Sequence, residues 1–413
     1  MALGVVARHG RAISLVLTLF GLLLHAPPSH SLEDGRIGVL YVGCLARSPP
    51  FRSMKADPLF SMGFVQATLR DWAGMPESEV HRMVRIYMPR TYSDLIGGYD
   101  VLVLANANRM AVGPHIDKLR RGVGEGGMGF LMSGGWESFG GTGASYPDWG
   151  QTTLGRLLPT EDVIGVWTED GRLVIDDPDH ELIRSIPWSL NDPVLGSPVR
   201  WHHNPVTVRL GGQQLAHVIC LVGEEDPLMV TWELGNNARV FALTSEIHAL
   251  AWYGAPWTYV VDFGSNLMIY LDSREVPQDI GLVHNARSKI AEVDTRRSLL
   301  FALLDFCESF GANTERVLSN IAKMDEEIDK ATPEYLQLRF EDMLETYRSV
   351  EGMLSEIEED AVKLKDRTLL WVYVVEWLAV TGTMLVCAFI LWSTMVRRKF
   401  YKEVRISAFK ESW

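Results

Sequence analysis

"GFLMSGGWESFGG", residues 129–141, is the stretch on which the fold turns. A short apolar run stops at Gly134-Gly135, and Trp136, Glu137 and Ser138 follow at once. In α/β enzymes such a strand-to-glycine turn is where a nucleophile sits. Glycines there let the chain bend sharply and let backbone N–H groups approach an anionic or carbonyl ligand. Whether this turn is an active site, the remains of one or only a tight turn depends on what flanks it.

Upstream, "RIGVLYVG" (36–43) and "YDVLVLAN" (99–106) read as buried strands, and "VRIYMPR" (84–90) as a further strand. Between them "FSMGFVQATLRDW" (60–72) reads as a helix, and "GPHIDKLRRGVGEGG" (113–127) holds another. Near-continuous Val/Ile/Leu strands alternating with helices predict an α/β fold with a doubly wound, mostly parallel sheet. Ligands of such sheets bind beyond the carboxyl ends of the strands, so Cys44, Asn106 and the Gly134–Gly135 turn are expected on one edge. From about Glu161 to Ala242 the strand-like pieces "VIGVWTEDGRLVID", "VTVRL", "AHVICLV", "LMVTWEL" and "ARVFALTS" are separated by Gly, Asn, Asp and Pro. They predict an antiparallel extension and a return to the main sheet.

After Pro277 the apolar residues take a different period. Leu336, Phe340, Met343, Tyr347, Val350, Leu354, Ile357, Ala361 and Leu364 alternate at spacings of four and three, as do Val317, Ile321, Met324, Ile328 and Ala331. That is the pattern of coiled-coil or bundle packing. Gly311-Ala312-Asn313 and Thr332-Pro333 are expected to break the run into three helices, with Pro333 at a helix start. An intramolecular bundle and a dimerising stalk both satisfy the pattern.

Both ends read as membrane or targeting elements. Arg8 and Arg11 flank the short apolar core "AISLVLTLFGLLL" (12–24), followed by "HAPPSHS", which reads as a secretory signal over residues 1–31. Near the other end "WLAVTGTMLVCAFILWSTMV" (377–396) holds no charged residue, and Arg397, Arg398 and Lys399 follow. At ~1.5 Å per residue the stretch covers ~30 Å, the hydrocarbon thickness. The positive-inside rule then puts the tail (397–413) in the cytoplasm and the rest outside. The expected organisation is a signal (1–31), an α/β domain (35–275), a helical module (278–367), a transmembrane helix (369–396) and a tail.

In the 413 residues the formal net charge is −13, with 47% hydrophobic and 22% charged residues. No cationic excess exists to displace counterions from phosphates, which excludes a nucleic-acid partner. Of the four cysteines, Cys387 lies in the apolar span, leaving Cys44, Cys220 and Cys307, with room for one disulfide but no disulfide framework.

Several motifs in order carry a resemblance. "GYDVLVLAN", "EGGMGFLMSGGWESFGG" and "YPDWGQTTLGRLLP", then "DPDHELIRSI" and "DPLMVTWELGNNARVFALTSEIHALAWYGAPWTYVVDFGSNLMIYL", resemble the class I glutamine amidotransferase-like group over about residues 36–275. The resemblance implies a flavodoxin-like fold. Members with activity carry a cysteine at the elbow, activated by a histidine that a glutamate orients. Here the elbow reads Ser133-Gly134-Gly135-Trp136, with no cysteine, and Ser133 lacks the G-x-S-x-G setting of a nucleophile elbow. The resemblance brings Glu246 and His248 to the same edge in the order E-x-H, the reverse of the family's H-x-E.

Glu246 and His248 are therefore the candidates for acid–base work. Asn106, Ser133, Gly134, Gly135, Trp136, Glu137, Glu246 and His248 make up the candidate ligand-binding set. Trp252, Tyr253, Trp257 and Tyr259 would rim it. His180, His202, His203 and His217 form no i,i+4 pair or HExxH pattern, so neither metal nor cofactor is expected. The expected function is a non-catalytic, membrane-anchored ectodomain that binds a ligand or an envelope partner, with a homo-oligomer through the helical module as one arrangement. Two alternatives stand beside it: an amide- or glycan-directed hydrolase using His248 and Glu246, and a structural subunit of an envelope complex.

Overall fold

The computed structural model describes residues 34–45, 51, 54–55, 57–69, 74–142, 148–166, 171–188, 203–220, 225–246 and 258–410. The signal segment, His202, His248, Trp252, Tyr253 and Trp257 lie outside them. The chain divides into two compact units, one of Met1–Ala291 with Thr332–Met343, the other of Glu292–Ala331 with Leu344–Trp413.

The first unit is an α/β domain built on an eight-stranded sheet. Its strands are β1 (Ile37–Gly43), β2 (Phe60–Gln66), β3 (Val101–Ala105), β4 (Gly129–Ser133), β6 (Gly171–Ile175), β8 (Gln213–Cys220), β9 (Glu225–Glu233) and β10 (Arg239–Leu243). The short strands β5 (Thr160–Asp162) and β7 (Val206–Val208) pair separately. The main sheet runs β2-β1-β3-β4-β10-β9-β8-β6. The first five strands are parallel, and the last three add on antiparallel. Every residue of β1, β3 and β4 is buried, as fits strands covered on both faces.

Two expectations are corrected. Residues 60–72 do not open as a helix: Phe60–Gln66 is β2, paired with β1 from Ile37↔Phe60 to Gly43↔Gln66. Gly63 lies against the Tyr99 ring, and a Cβ there would come within 2.5 Å of its hydroxyl. A mid-helix glycine would cost ~1 kcal/mol, whereas in this edge strand it permits the close approach. Conversely, "VRIYMPR" is not a strand. It is the end of helix α1 (Glu77–Tyr87), whose buried Val80 and Val84 sit one turn apart with Met88 one turn beyond. Glu77 and Glu79 in its first turn and Arg85 in its last suit the helix dipole.

Helix α2 (Tyr92–Gly98) starts from a capping box, Thr91 Oγ1 accepting from the Asp94 N–H at 3.0 Å and Asp94 Oδ2 from the Thr91 N–H at 2.9 Å. The short helix α3 (Arg109–Val112) and α4 (Ile116–Gly124) follow β3. After the four-residue α5 (Glu181–Arg184), helix α6 (Val260–Leu271) is buried from Asp262 to Leu271.

Three long helices close the chain: α7 (Ile280–Ser309), α8 (Glu315–Leu336) and α9 (Phe340–Lys410). The break between α7 and α8 falls at Gly311, as expected, with φ +79°. The Gly311 and Ala312 N–H groups return to the Glu308 and Cys307 carbonyls at 2.8 and 3.1 Å, closing the helix end. The second break is corrected: Pro333 lies inside α8, and the turn comes at Leu338, with φ +59°.

Within the second unit Val293, Leu300, Leu304, Cys307, Val317, Ile321, Met324, Val350, Leu354, Ile357 and Ala361 are buried. Arg296 pairs with Glu358 at 2.7 Å and Arg297 with Asp325 at 2.9 Å. The acidic stretch "EIEED" (356–360) includes Glu358, a partner in an ion pair between helices. Cys44 and Cys307 are buried thiols, neither in a disulfide. Helix α9 is long and apolar enough to cross a membrane, with a mean hydropathy of 2.1 in its apolar window and none of that window buried. A core helix of such composition would be covered.

The buried edges of the first unit set a pH dependence. Asp100, 2% exposed, precedes β3 and accepts the Gly38 N–H of β1 at 2.7 Å on one oxygen, while the other has no hydrogen-bond partner among the described residues. Burial pushes its carboxyl up to about 7. The folded chain therefore holds this proton more tightly than the unfolded one. Its contribution is present below the unfolded value of ~4 and is lost as pH rises through the folded one, by up to about 4 kcal/mol. Asp100→Asn is expected to remove that loss. Urea unfolding of variant and wild type at several pH values between those limits reads it directly, and parallel stability curves would contradict it.

Candidate functional site

Five parallel strands end at one edge of the sheet, and the residues just past those ends form the candidate site. Thr68 and Leu69 follow β2, Asn106 and Asn108 follow β3, Gly134 to Ser138 follow β4, and Thr244 to Glu246 follow β10. Cys44 follows β1, its N–H donating to the Ala105 carbonyl at 3.0 Å. The strand order reverses between β1 and β3, the position where open α/β sheets form a ligand crevice. Of the residues expected here, Asn106, Ser133, Gly134, Gly135, Trp136, Glu137 and Glu246 do come to this edge. His248 lies outside the described residues.

The centre of the edge is the Glu137 carboxylate, whose residue is 2% exposed. The Thr68 hydroxyl and the Leu69 N–H (3.0 Å) donate to one oxygen, and Asn108 Nδ2 donates to the other at 2.8 Å. A carboxylate taken out of water needs such donors, because an unpaired buried charge costs several kcal/mol. Asn106 is the second hub. In the left-handed region at φ +54°, a conformation asparagine tolerates, it accepts the Glu137 N–H on Oδ1 at 2.9 Å. Its Nδ2 donates to Glu246 Oε1 at 3.1 Å, and its own N–H donates to Ser138 Oγ at 3.0 Å. Trp149 Nε1 closes the ring from outside, donating to the Ala107 and Glu137 carbonyls, each at 3.0 Å.

The glycine turn is equally engaged. The Gly134 N–H donates to the Leu243 carbonyl at 2.8 Å and the Gly135 N–H to Asn204 Oδ1 at 2.7 Å. Asn204 Nδ2 donates back to the Gly135 carbonyl at 3.1 Å. A Cβ on Gly134 would come within 2.1 Å of the Thr244 carbonyl oxygen, and one on Gly135 within 2.8 Å of Glu246 Oε1. These glycines let β4, β10 and the Asn106 side chain close on one another; the N–H groups at 134, 135 and 137 already have protein acceptors. Ser133 is 1% exposed and donates to the Ser245 carbonyl at 3.3 Å.

His203 also reaches this edge, its Nδ1 lying 3.1 Å from Ser245 Oγ, with Nε2 at 3.8 Å from Asp226. The constellation has the residue types of a catalytic triad, but Nε2 lies beyond hydrogen-bond distance of Asp226, so that carboxylate does not hold the ring as a triad acid would. The Thr244 hydroxyl, which donates to the Pro227 carbonyl at 2.7 Å, also lies 3.2 Å from His203 Nδ1. Burial depresses the His203 pKa to about 4, keeping the ring neutral. The other histidines serve elsewhere: His180 caps α5, accepting the Leu182 N–H at 3.3 Å, and His217 pairs with Asp176 at 2.7 Å. Among the described residues no three His, Cys, Asp or Glu side chains converge as metal ligands would.

A second polar centre was not anticipated. Arg287, in the part of α7 that belongs to the first unit, is 7% exposed. Its guanidinium donates to Asp262 Oδ1 at 3.0 Å and Asn266 Oδ1 at 2.9 Å on α6, with Asp57 3.9 Å away. Asp57 in turn accepts the Tyr335 hydroxyl at 2.8 Å, and His284 Nδ1 lies 2.7 Å from Asp262. Burial pushes the Asp57 carboxyl up, against the pull of Arg287. A cavity of about 230 Å³ opens beside this cluster, lined by Asp57, Asp262, His284, Arg287 and apolar neighbours. It is smaller than the ~300 Å³ and above typical of ligand sites.

The signals were present. Asp262 and Asn266 stand one turn apart in an otherwise apolar helix, and His284 and Arg287 share a helix face. At the sheet edge Asn108 lies two residues past Asn106. Thr68 was hidden because its strand was read as a helix.

Compared with known proteins, the chain matches no family model and no curated sequence.

Removing one partner from a buried ionic cluster leaves the others uncompensated, at about 3–5 kcal/mol. Arg287→Met is therefore expected to destabilise the chain by that amount in chemical denaturation. A change within about 0.5 kcal/mol, the range of surface substitutions, would contradict the role given to this cluster.

Proposed function

We propose that the chain is a single-pass membrane protein whose α/β domain is a non-catalytic module for binding a ligand or partner, with the glutamine amidotransferase-like, flavodoxin-like fold that its motifs resemble. Supporting that fold is the order β2-β1-β3-β4-β10 of the parallel strands, the doubly wound order with one reversal. Supporting the membrane reading is the exposed apolar stretch of α9 followed by Arg397, Arg398 and Lys399. On this reading residues 1–31 are a secretory signal, the α/β and helical parts are extracytoplasmic and the basic tail is cytoplasmic. The helical module is a short coiled-coil-like bundle, supported by its buried residues at spacings of three and four.

One observation carries the non-catalytic reading. An acyl-transfer site needs a nucleophile and N–H groups aimed at a developing oxyanion. At this elbow the sequence has Gly134-Gly135 where the family's cysteine would stand, and the N–H groups of Gly134, Gly135 and Glu137 each donate to a protein acceptor. The Glu137 carboxylate takes its own set of donors, and Glu246 accepts from Asn106. The edge then works as a rigid frame presenting the loops around it.

The full chain, purified in detergent micelles, is expected to release no ammonia from glutamine or from peptide amides above buffer. Turnover that disappears in both Glu246→Gln and His248→Ala would overturn the reading in favour of an unusual hydrolase.

A further inference from the structure

The second unit carries an aromatic tip for which the sheet edge has no use. Where α7 turns into α8, Phe306 and Phe310 are 40% and 45% exposed, their rings packed edge to face at 5.0 Å. Leu300, Leu304, Cys307, Val317 and Ile321 point inward, each at most 5% exposed, whereas Leu299, Phe301 and Leu318 are exposed at 66%, 37% and 38%. What sets Phe306 and Phe310 apart is their place at the end of the hairpin, as a packed aromatic pair.

The register of the helices locates the tip along α9. Arg296 of α7 pairs with Glu358 of α9, and Arg316, in the first turn of α8, pairs with Asp360. Carried along the helices at ~1.5 Å per residue, the two pairs bracket the tip between Val362 and Val372. Thr368 lies inside that bracket. At 6% exposure it is the last buried residue of α9 among those whose burial is described, whereas Leu370 and Trp371 are 63% and 64% exposed. The apolar run starts at the same point, beyond the charged Lys363, Lys365, Asp366 and Arg367. Residues 369–396 at ~1.5 Å each cover ~42 Å, the thickness of a bilayer with its headgroups. The hairpin thus ends where the helix enters that layer.

We infer that the α7–α8 tip seats on the bilayer surface opposite the Arg397-Arg398-Lys399 cluster, with Phe306 and Phe310 among the lipid headgroups. This rests on the reading of α9 as a membrane span. Phe lies on the membrane-facing side of interfacial amphipathic helices, and two phenyl rings favour the seated state by the area they remove from water. The polar residues around the tip choose the lipid. Asp305, Glu308 and Glu315 outnumber Arg316, whose charge is paired with Asp360, so the tip suits a zwitterionic surface and not an anionic one. Seating gives the helical unit a second contact with the membrane besides α9 and restrains it against tilting.

The test uses the full chain in phosphatidylcholine vesicles, with p-benzoylphenylalanine placed singly at Phe310, at Phe306 and at Phe389 in the span. Irradiation and mass spectrometry read the adducts. The expected result is lipid adducts at 306, 310 and 389. Lipid adducts at 389 with none at 306 or 310 would overturn the inference and leave the membrane span standing. Cross-links from 310 to a second copy of the chain, without lipid, would overturn it in favour of a protein interface. No lipid adduct at 389 would remove the span itself, and the inference with it.

Discussion

A carboxylate with 2% exposure must find its hydrogen bonds inside the protein, and at Glu137 that requirement organises the whole carboxyl edge of the sheet. The donors come from two strand ends, Thr68 and Leu69 after β2 and Asn108 after β3, while Glu137 itself follows β4. Asn106 links this group to Glu246 after β10. Four parallel strands are thus tied at their ends by side chains as well as by ladder hydrogen bonds. The left-handed Asn106 and the positive φ of Gly135, +137°, are the backbone conformations that bring these groups within reach. A residue with a Cβ at 134 or 135 would push β4 away from β10 or from Asn106.

The same frame is what the proposed non-catalytic reading of the turn rests on. Catalysis by an elbow depends on polar groups held in place yet left open toward the substrate. Here the groups are held in place by one another. His203, Ser245 and Asp226 likewise lack the geometry of a triad, because His203 Nε2 is 3.8 Å from Asp226, too far for a hydrogen bond.

Much of this was legible in the residues. Continuous Val/Ile/Leu runs identified β1, β3 and β4, and the rule that doubly wound sheets gather function at strand ends placed Cys44, Asn106, Gly134 and Gly135 together, while Glu246 was expected there only from the family resemblance. The failures were local. Gly63 and a half-buried edge pattern disguised β2 as a helix, and a window opened at Val84 cut α1 in two, hiding the spacing of Val80, Val84 and Met88. Pro333 drew the second helix break too early, since it sits within the last turn of α8 and the chain turns at Leu338. Asn204 and Arg287 could not be assigned partners from sequence at all. Their hydrogen bonds span 69 residues to Gly135 and 25 to Asp262, and only the folded chain brings those groups together.

The central claim is that the N–H groups of the glycine turn are closed off by protein acceptors. Amide hydrogen exchange of the full chain, read by mass spectrometry over peptides spanning residues 129–141, tests it most directly. Amides engaged as described exchange only through the larger openings that also expose β3 and β4. The account predicts that Gly134, Gly135 and Glu137 are protected to the level of those strands. Exchange of these three amides at the rate of an open loop, with β4 still protected, would contradict it and return the turn to the standing of an accessible site.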